Sequence, residues 1–145
     1  MDPTSVTINW TADLSVDVPA LDDDHKILVN LLNSTLVACY AGFGDEHINI
    51  ILDELLGYTR THFAREIDIL AQSGYPGCAA HQREHERMLA EVTAMTMRAR
   101  IEVEQGLSAE VGDFLKTWLT DHILGHDMAY AKFLKAVPAA STVPL

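Results

Sequence analysis

Five histidines and one glutamate fall in positions where a folded chain ordinarily places leucine. His25, His62, His81, His85 and His122, together with Glu66, keep the phase of the apolar residues around them rather than that of the polar ones. Burying ionisable groups is costly unless they are paired or bound to metal. His62 and Glu66 are four residues apart, as are His81 and His85. On a helix that spacing stacks two side chains on one face, where both can converge on one ion. His25 and His122 come from two further segments. Imidazole suits iron, zinc, copper and nickel, and a carboxylate can bridge two ions. One histidine on an apolar face is more often a core residue with its nitrogens satisfied. Two i, i+4 pairs joined by two in-phase histidines from elsewhere point instead to a metal centre.

A pair of ions held by two bridging carboxylates needs a partner for Glu66. Asp127 is one candidate, but it follows His122 by five residues, about 140° round an ideal helix. His126, at four residues, has the better phase. Spacing alone leaves both open. A local widening of the helix would turn Asp127 inward, and such bulges occur at functional sites.

The elements that must position these groups are four long amphipathic helices. The first spans about 22–40, with Leu28, Leu32 and Leu36 in phase with His25 and Gly42 and Gly44 ending it. The second spans about 46–72 on the stripe Ile48, Leu52, Leu55, Thr59, His62, Glu66 and Ile69, before the breaker Gly74-Tyr75-Pro76-Gly77. The third spans about 79–104 on His81, His85, Met88, Val92, Met95, Ala99 and Val103, with Gly106 as its stop. Ser108 caps the fourth, about 109–136, whose stripe is Val111, Leu115, Trp118, His122 and Ala129. Residues 1 to about 20 read as an extended arm that packs Trp10, Leu14, Val16, Val18 and Pro19 on the body. The expected fold is all-α, an up-down-up-down four-helix bundle forming a single domain over 1–145, with the bundle proper at about 21–137. Met88, Met95, Met97, Trp118 and Phe133 read as core filling, and the run Asp22-Asp23-Asp24 as a solvated helix start that favours the positive end of the dipole.

Composition agrees. A chain of 145 residues that is 48% hydrophobic can bury roughly two-thirds of its unfolded surface. A net charge of −11 repels phosphate backbones and anionic lipid, so nucleic acid and membrane surfaces are poor partners. Cys39 and Cys78 are too few and too far apart for a disulfide framework, and read as small buried hydrophobes. No stretch is apolar enough to cross a bilayer, and the N-terminus lacks the features of a secretory signal, so a cytoplasmic protein is expected. A closed, acidic bundle makes a monomer the first expectation.

The runs His62-Phe63-Ala64-Arg65-Glu66, Gly74-Tyr75-Pro76, His81-Gln82-Arg83-Glu84-His85 and Trp118-Leu119-Thr120-Asp121-His122, with Asp127 and Tyr130, resemble bacterial hemerythrins. The opening Trp10, Leu14-Ser15-Val16, Val18-Pro19, Leu21-Asp22 and His25-Lys26 agrees. The resemblance implies two non-haem irons with an oxo or hydroxo bridge. His81, His85 and His122 would hold one and His25 and His62 the other, with Glu66 and Asp127 bridging. Three histidines and three bridges fill one iron, whereas two histidines and three bridges leave the other a position for dioxygen. Leu28, Phe63 and Leu119, close to ligands in sequence, are the expected walls of an oxygen pocket. The sequence departs from the family pattern at Asp24, where glutamine is frequent, at Asp17, where glycine is, and at Ile67, where a second glutamate is usual. His47 and His126 are additional, His47 reading as a surface residue.

The resemblance thus implies reversible dioxygen binding for carriage, storage or delivery, without net catalysis; an unidentified protein acceptor is a separate expectation. The competing functions on the same bundle are a di-iron oxygen or redox sensor and a peroxidase or nitric-oxide-handling enzyme. Oxidases of the ferritin-like type use more carboxylate and less histidine. Seven protein ligands are too many for one closed tetrahedral zinc site.

Overall fold

The computed structural model describes residues 7–41, 45–101 and 109–136. Four helical rods fill it. Helix α1 is Pro19–Ala41, α2 is Asp45–Ser73 and α3 is Cys78–Ile101. The fourth rod comprises α4, Ala109–Asp121, a π-helical turn His122–Asp127, and α5, Met128–Ala136. Consecutive rods pack side by side, and α4 returns to lie against α1, closing the bundle. No strand occurs among the described residues. Gly42, Gly44, Val103, Gly106 and Ser108 lie outside them, as do the side chains of Ile48 and Ala99.

Pro19 opens α1 rather than ending the arm. Its ring suits the first helical position, where its missing N–H would have no partner. Ahead of it, Asp22 reaches back to accept hydrogen bonds from the Val16 N–H (2.8 Å) and the Ser15 hydroxyl (2.6 Å). Asp17 takes the left-handed conformation, φ 59°, which explains why glycine is so acceptable there. The arm is not uniformly extended, since Ala12–Leu14 form one 3-10 turn. It is fastened by a reciprocal pair, Ile8 N–H to Asn33 Oδ1 and Asn33 Nδ2 to the Ile8 carbonyl, each 2.8 Å. Leu14 and Val16 are buried, and the Lys26 ammonium sits 5.5 Å above the Trp10 ring.

At the end of α2, Gly74 (φ 77°) lets the chain turn back, with Tyr75 N–H bonding the Leu70 carbonyl and Gly74 N–H the Ala71 carbonyl. This pair of bonds is a Schellman stop. Gly77 follows because a Cβ there would meet the Tyr75 ring at 2.7 Å. Its carbonyl accepts from His81 N–H (2.9 Å), so the turn that ends α2 also starts α3 with His81 in place.

The core is formed by Leu28, Leu32, Leu36, Leu52, Leu55, Met88, Val92 and Leu115, all essentially inaccessible. Trp118 joins it and spends its indole N–H on the Met88 carbonyl, 3.1 Å away. Three expectations are corrected. Met97 is 58% exposed, because Met95 and Thr96 hold the inward positions of that turn. Ala129 faces solvent, because the π turn adds a residue and passes the inward phase to Tyr130 and Ala131. Asp24 is buried rather than solvated. Both cysteines are free; Cys39 is buried and Cys78, opening α3, is half-buried. Burial pushes the Cys39 thiol up to about 11. Among the described residues, no helix is long and apolar enough to cross a membrane.

Candidate metal centre

The four rods deliver seven ionisable side chains to one end of the core. His25 comes from α1, His62 and Glu66 from α2, His81 and His85 from α3, and His122 and Asp127 from the fourth rod, all buried. Glu66 and Asp127 are fully inaccessible.

The fourth rod reaches the cluster by changing pitch. Across His122–Asp127 the helix is π, and the Met128 N–H bonds the Ile123 carbonyl five residues back. Residues five apart then share a face. Asp127 therefore points inward beneath His122. His126, whose side chain is 50% exposed, lies at the rim 3.4 Å from Glu84 Oε1. Its ring stacks on that of His122 at 5.6 Å. Glu84 is also paired with Arg87.

The carboxylate oxygens divide the histidines into two groups. Glu66 Oε1 lies 2.7 Å from His81 Nε2 and 2.9 Å from His85 Nε2. Its other oxygen, Oε2, lies 3.4 Å from His25 Nε2 and 3.2 Å from His62 Nε2. Asp127 repeats the division, with Oδ1 3.1 Å from His81 and 3.0 Å from His122, and Oδ2 3.2 Å from His25. Two sets of donor atoms result: His81, His85 and His122 with both carboxylates, and His25 and His62 with Glu66.

These side chains do not satisfy one another. Among the described residues, the buried side-chain N and O atoms without a hydrogen-bond partner all belong to this cluster: both nitrogens of His25, His85 and His122, Nε2 of His62, and both oxygens of Asp127. An unpaired buried polar atom costs about 1–3 kcal/mol, so this many cannot persist as a structural device. Cations between the carboxylates would engage the inward-facing members. The donor set of imidazole nitrogens and carboxylate oxygens fits borderline transition metals, whereas magnesium and calcium take oxygen ligands.

The electrostatics of the side chains alone point the same way. Burial works against a charged imidazole at His25, but the Asp127 and Glu66 carboxylates beside it outweigh that and lift the ring to about 10. His81 is lifted to about 9 against the same opposition. His85 is lowered, chiefly by burial. Burial also works against the Glu66 carboxylate, yet the surrounding imidazoles of His25, His62, His81 and His85 hold it well below the usual range. Asp127 is held low as well, with His122 and His25 overcoming burial and the nearby Glu66 charge. The centre is thus built for positive charge.

Around it, the Tyr130 hydroxyl donates to Glu66 Oε2 at 2.8 Å, and burial beside the two carboxylates raises its pKa far above the ordinary value. Phe63 stacks flat on His85, with centroids 3.6 Å apart and planes within 1°. Leu28 and Leu119 are buried in the same apolar core as Phe63 and Ile123. His47 is exposed at the start of α2, away from this cluster. Two contacts were not legible beforehand. The Asp24 carboxylate, one residue before His25, bonds His62 Nδ1 at 2.9 Å, and Tyr130 holds Glu66. Asp24 stands out in sequence only as a departure beside His25, and nothing there signals its reach across to His62; the eight-residue step from His122 to Tyr130 has the wrong phase until the π turn is known.

The profile of the hemerythrin HHE cation binding domain matches residues 16–134. A bacteriohemerythrin of Stenotrophomonas maltophilia (strain R551-3) is 35% identical over 127 residues, 88% of this chain and 81% of that protein. One from Pseudomonas paraeruginosa (strain DSM 24068 / PA7) is 31% identical over 123 residues, covering 83% and 77%. One from Methylococcus capsulatus (strain Bath) is 29% identical over 130 residues, covering 89% and 98%.

Proposed function

The chain belongs to the hemerythrin family, and we propose that its buried cluster holds two irons and binds dioxygen reversibly, as a carrier, store or delivery protein rather than an enzyme. The observation that carries this reading is the division of labour within each carboxylate. One oxygen of Glu66 faces His81 and His85, the other His25 and His62, and Asp127 separates His81 and His122 from His25 in the same manner. Carboxylates so placed could be shared by two ions. His81, His85 and His122 would hold one iron and His25 and His62 the other, with Glu66 and Asp127 shared. When bound, the iron pair supplies the electrons and the open position that reversible oxygen binding needs.

The chain's own part is to hold and to exclude. Tyr130 donates to Glu66 Oε2 and fixes the shared carboxylate against rotation. Phe63 covers the His85 ring face. Leu28, Phe63 and Leu119 form an apolar wall that excludes water, and a dry site suppresses the proton transfer that would end reversibility. The histidine-rich donor set favours binding over oxidation of a substrate. A cytoplasmic monomer suits the acidic chain.

Iron analysis of the purified protein and of Glu66→Gln tests the assignment. The parent chain should hold two irons, and the variant, which weakens a group shared by both sets, should lose both together. Loss of one iron alone would contradict a shared carboxylate. Cycles of oxygen exposure and removal then test reversibility.

A further inference from the structure

Asp24 is a buried carboxylate outside the two donor sets, 2% exposed. It reaches from α1 to three side chains of α2. Its Oδ2 lies 2.9 Å from His62 Nδ1, and its Oδ1 accepts from the Tyr58 hydroxyl at 2.8 Å and from Arg65 Nη1 at 2.6 Å. Tyr58, His62 and Arg65 are spaced by four and three and so share one face of their helix.

We infer that Asp24 is a positioning residue that fixes the His62 tautomer and sets how strongly His62 donates to the metal centre, with Arg65 opposing it from the surface. The inference rests on the di-iron reading. The Arg65 guanidinium and the Tyr58 hydroxyl both donate to Oδ1, the bonding pattern of a carboxylate anion. An ionised carboxylate can only accept, so His62 Nδ1 carries a ring proton, which leaves Nε2 as the nitrogen able to present a lone pair to a cation. That Nε2 is the atom facing Glu66 Oε2, 3.2 Å away. The Nδ1 atoms of His25, His85 and His122 are buried without such a partner. His62 is thereby distinguished from those three by an anion on its outer nitrogen. A carboxylate there orients the ring and makes it a stronger donor, which stabilises the ferric over the ferrous ion.

Arg65 works in the other direction. Its side chain is 46% exposed, and its guanidinium neutralises part of the charge that His62 feels. The balance between a buried anion and a half-exposed cation therefore sets the redox preference of the iron held by His25 and His62. Opposite signs follow for two substitutions. Asp24→Asn removes the anion and favours ferrous iron. Arg65→Gln removes the cation and favours ferric iron. A scaffolding role alone would predict shifts of the same sign, because either change loosens the same network.

Two measurements test this. In the metal-free protein, nitrogen chemical shifts of labelled histidine should show His62 protonated at Nδ1, with Asp24→Asn admitting the other tautomer and Asp24→Glu restoring the original. In the iron-loaded protein, Asp24→Asn should raise the midpoint potential and Arg65→Gln lower it, each changing the ferric/ferrous ratio about tenfold, about 59 mV for one electron. If Asp24→Asn fails to fold, Arg65→Gln still decides, since an unchanged or raised potential in that variant overturns the inference. A His62 tautomer unaffected by Asp24 overturns it as well. Unchanged potentials with two irons and intact oxygen cycling would reject the role of Asp24 and leave the carrier reading standing, whereas absence of iron would reject that reading and leave the tautomer result to be judged alone.

Discussion

At the scale of single residues, the centre is a trade between burial and pairing. His25 and His81 carry protons in the metal-free chain because Glu66 and Asp127 hold them there against burial. Raised from 6.5 to about 10 and about 9, they contribute stability fully below pH 6.5 and lose it as pH rises through 9 and 10. Glu66 and Asp127, lowered from 4.5 and 3.8, contribute above those values and lose it in strong acid. His85, lowered by burial, offsets part of the gain below 6.5. Denaturant titrations of the metal-free protein should therefore show stability declining from pH 6.5 towards 10. A rise over that interval would place these pairs elsewhere. Tyr130→Phe should cost about 1–2 kcal/mol by leaving Glu66 Oε2 without its hydroxyl donor, measured in the same titrations. Leu119→Ala should speed autoxidation several-fold by admitting water to the apolar wall, and an unchanged rate would remove Leu119 from that wall. Six of the seven cluster members could be read from sequence, since histidine and glutamate in apolar phase betray themselves. Asp127 could be named only by family resemblance, because the phase argument presupposes a straight helix, on which His126 wins.

At the scale of elements, the π turn His122–Asp127 explains that ambiguity. One added residue within a turn shifts everything beyond it by about 100°. Tyr130 and Ala131 consequently face the core and Ala129 does not. Deleting Gly125, which is exposed and within the turn, would make Asp127 the fourth residue after His122 on an ordinary α-helix and keep Tyr130 inward. That variant should retain its helical circular dichroism and thermal stability. Deleting Ala129 instead leaves the turn intact, rotates Tyr130 off Glu66 and should destabilise the fold by several kcal/mol. Equal behaviour of the two deletions would show that the turn does not set the register. The helices themselves were accessible from periodicity to within a few residues at their described ends. The start of α1 is the exception: the sequence places Pro19 in the arm, whereas its missing N–H suits the first helical turn. The α2–α3 corner was legible as a breaker, but its Schellman form needs the left-handed Gly74. Gly74→Ala should cost about 1–2 kcal/mol, seen as a lower denaturation midpoint.

For the whole molecule, four rods closing on one another give an apolar core with a cluster of histidines and carboxylates at one end, and neither part is visible in composition. The charge of −11 disfavours self-association, and the exposed large apolar side chains Ile27, Ile50, Met97 and Leu124 are spread over four helical elements. Light scattering should return the mass of a single chain. The central claim is that the bundle holds two irons whose oxygen adduct forms and dissolves without chemistry on a substrate. The direct test reduces the iron-loaded protein without air, admits oxygen while recording visible spectra, and then removes the oxygen. The expected result is two irons per chain and a coloured adduct that bleaches on degassing and returns on re-exposure through repeated cycles. A protein that retains no iron, or one that oxidises once and does not return, would contradict the account.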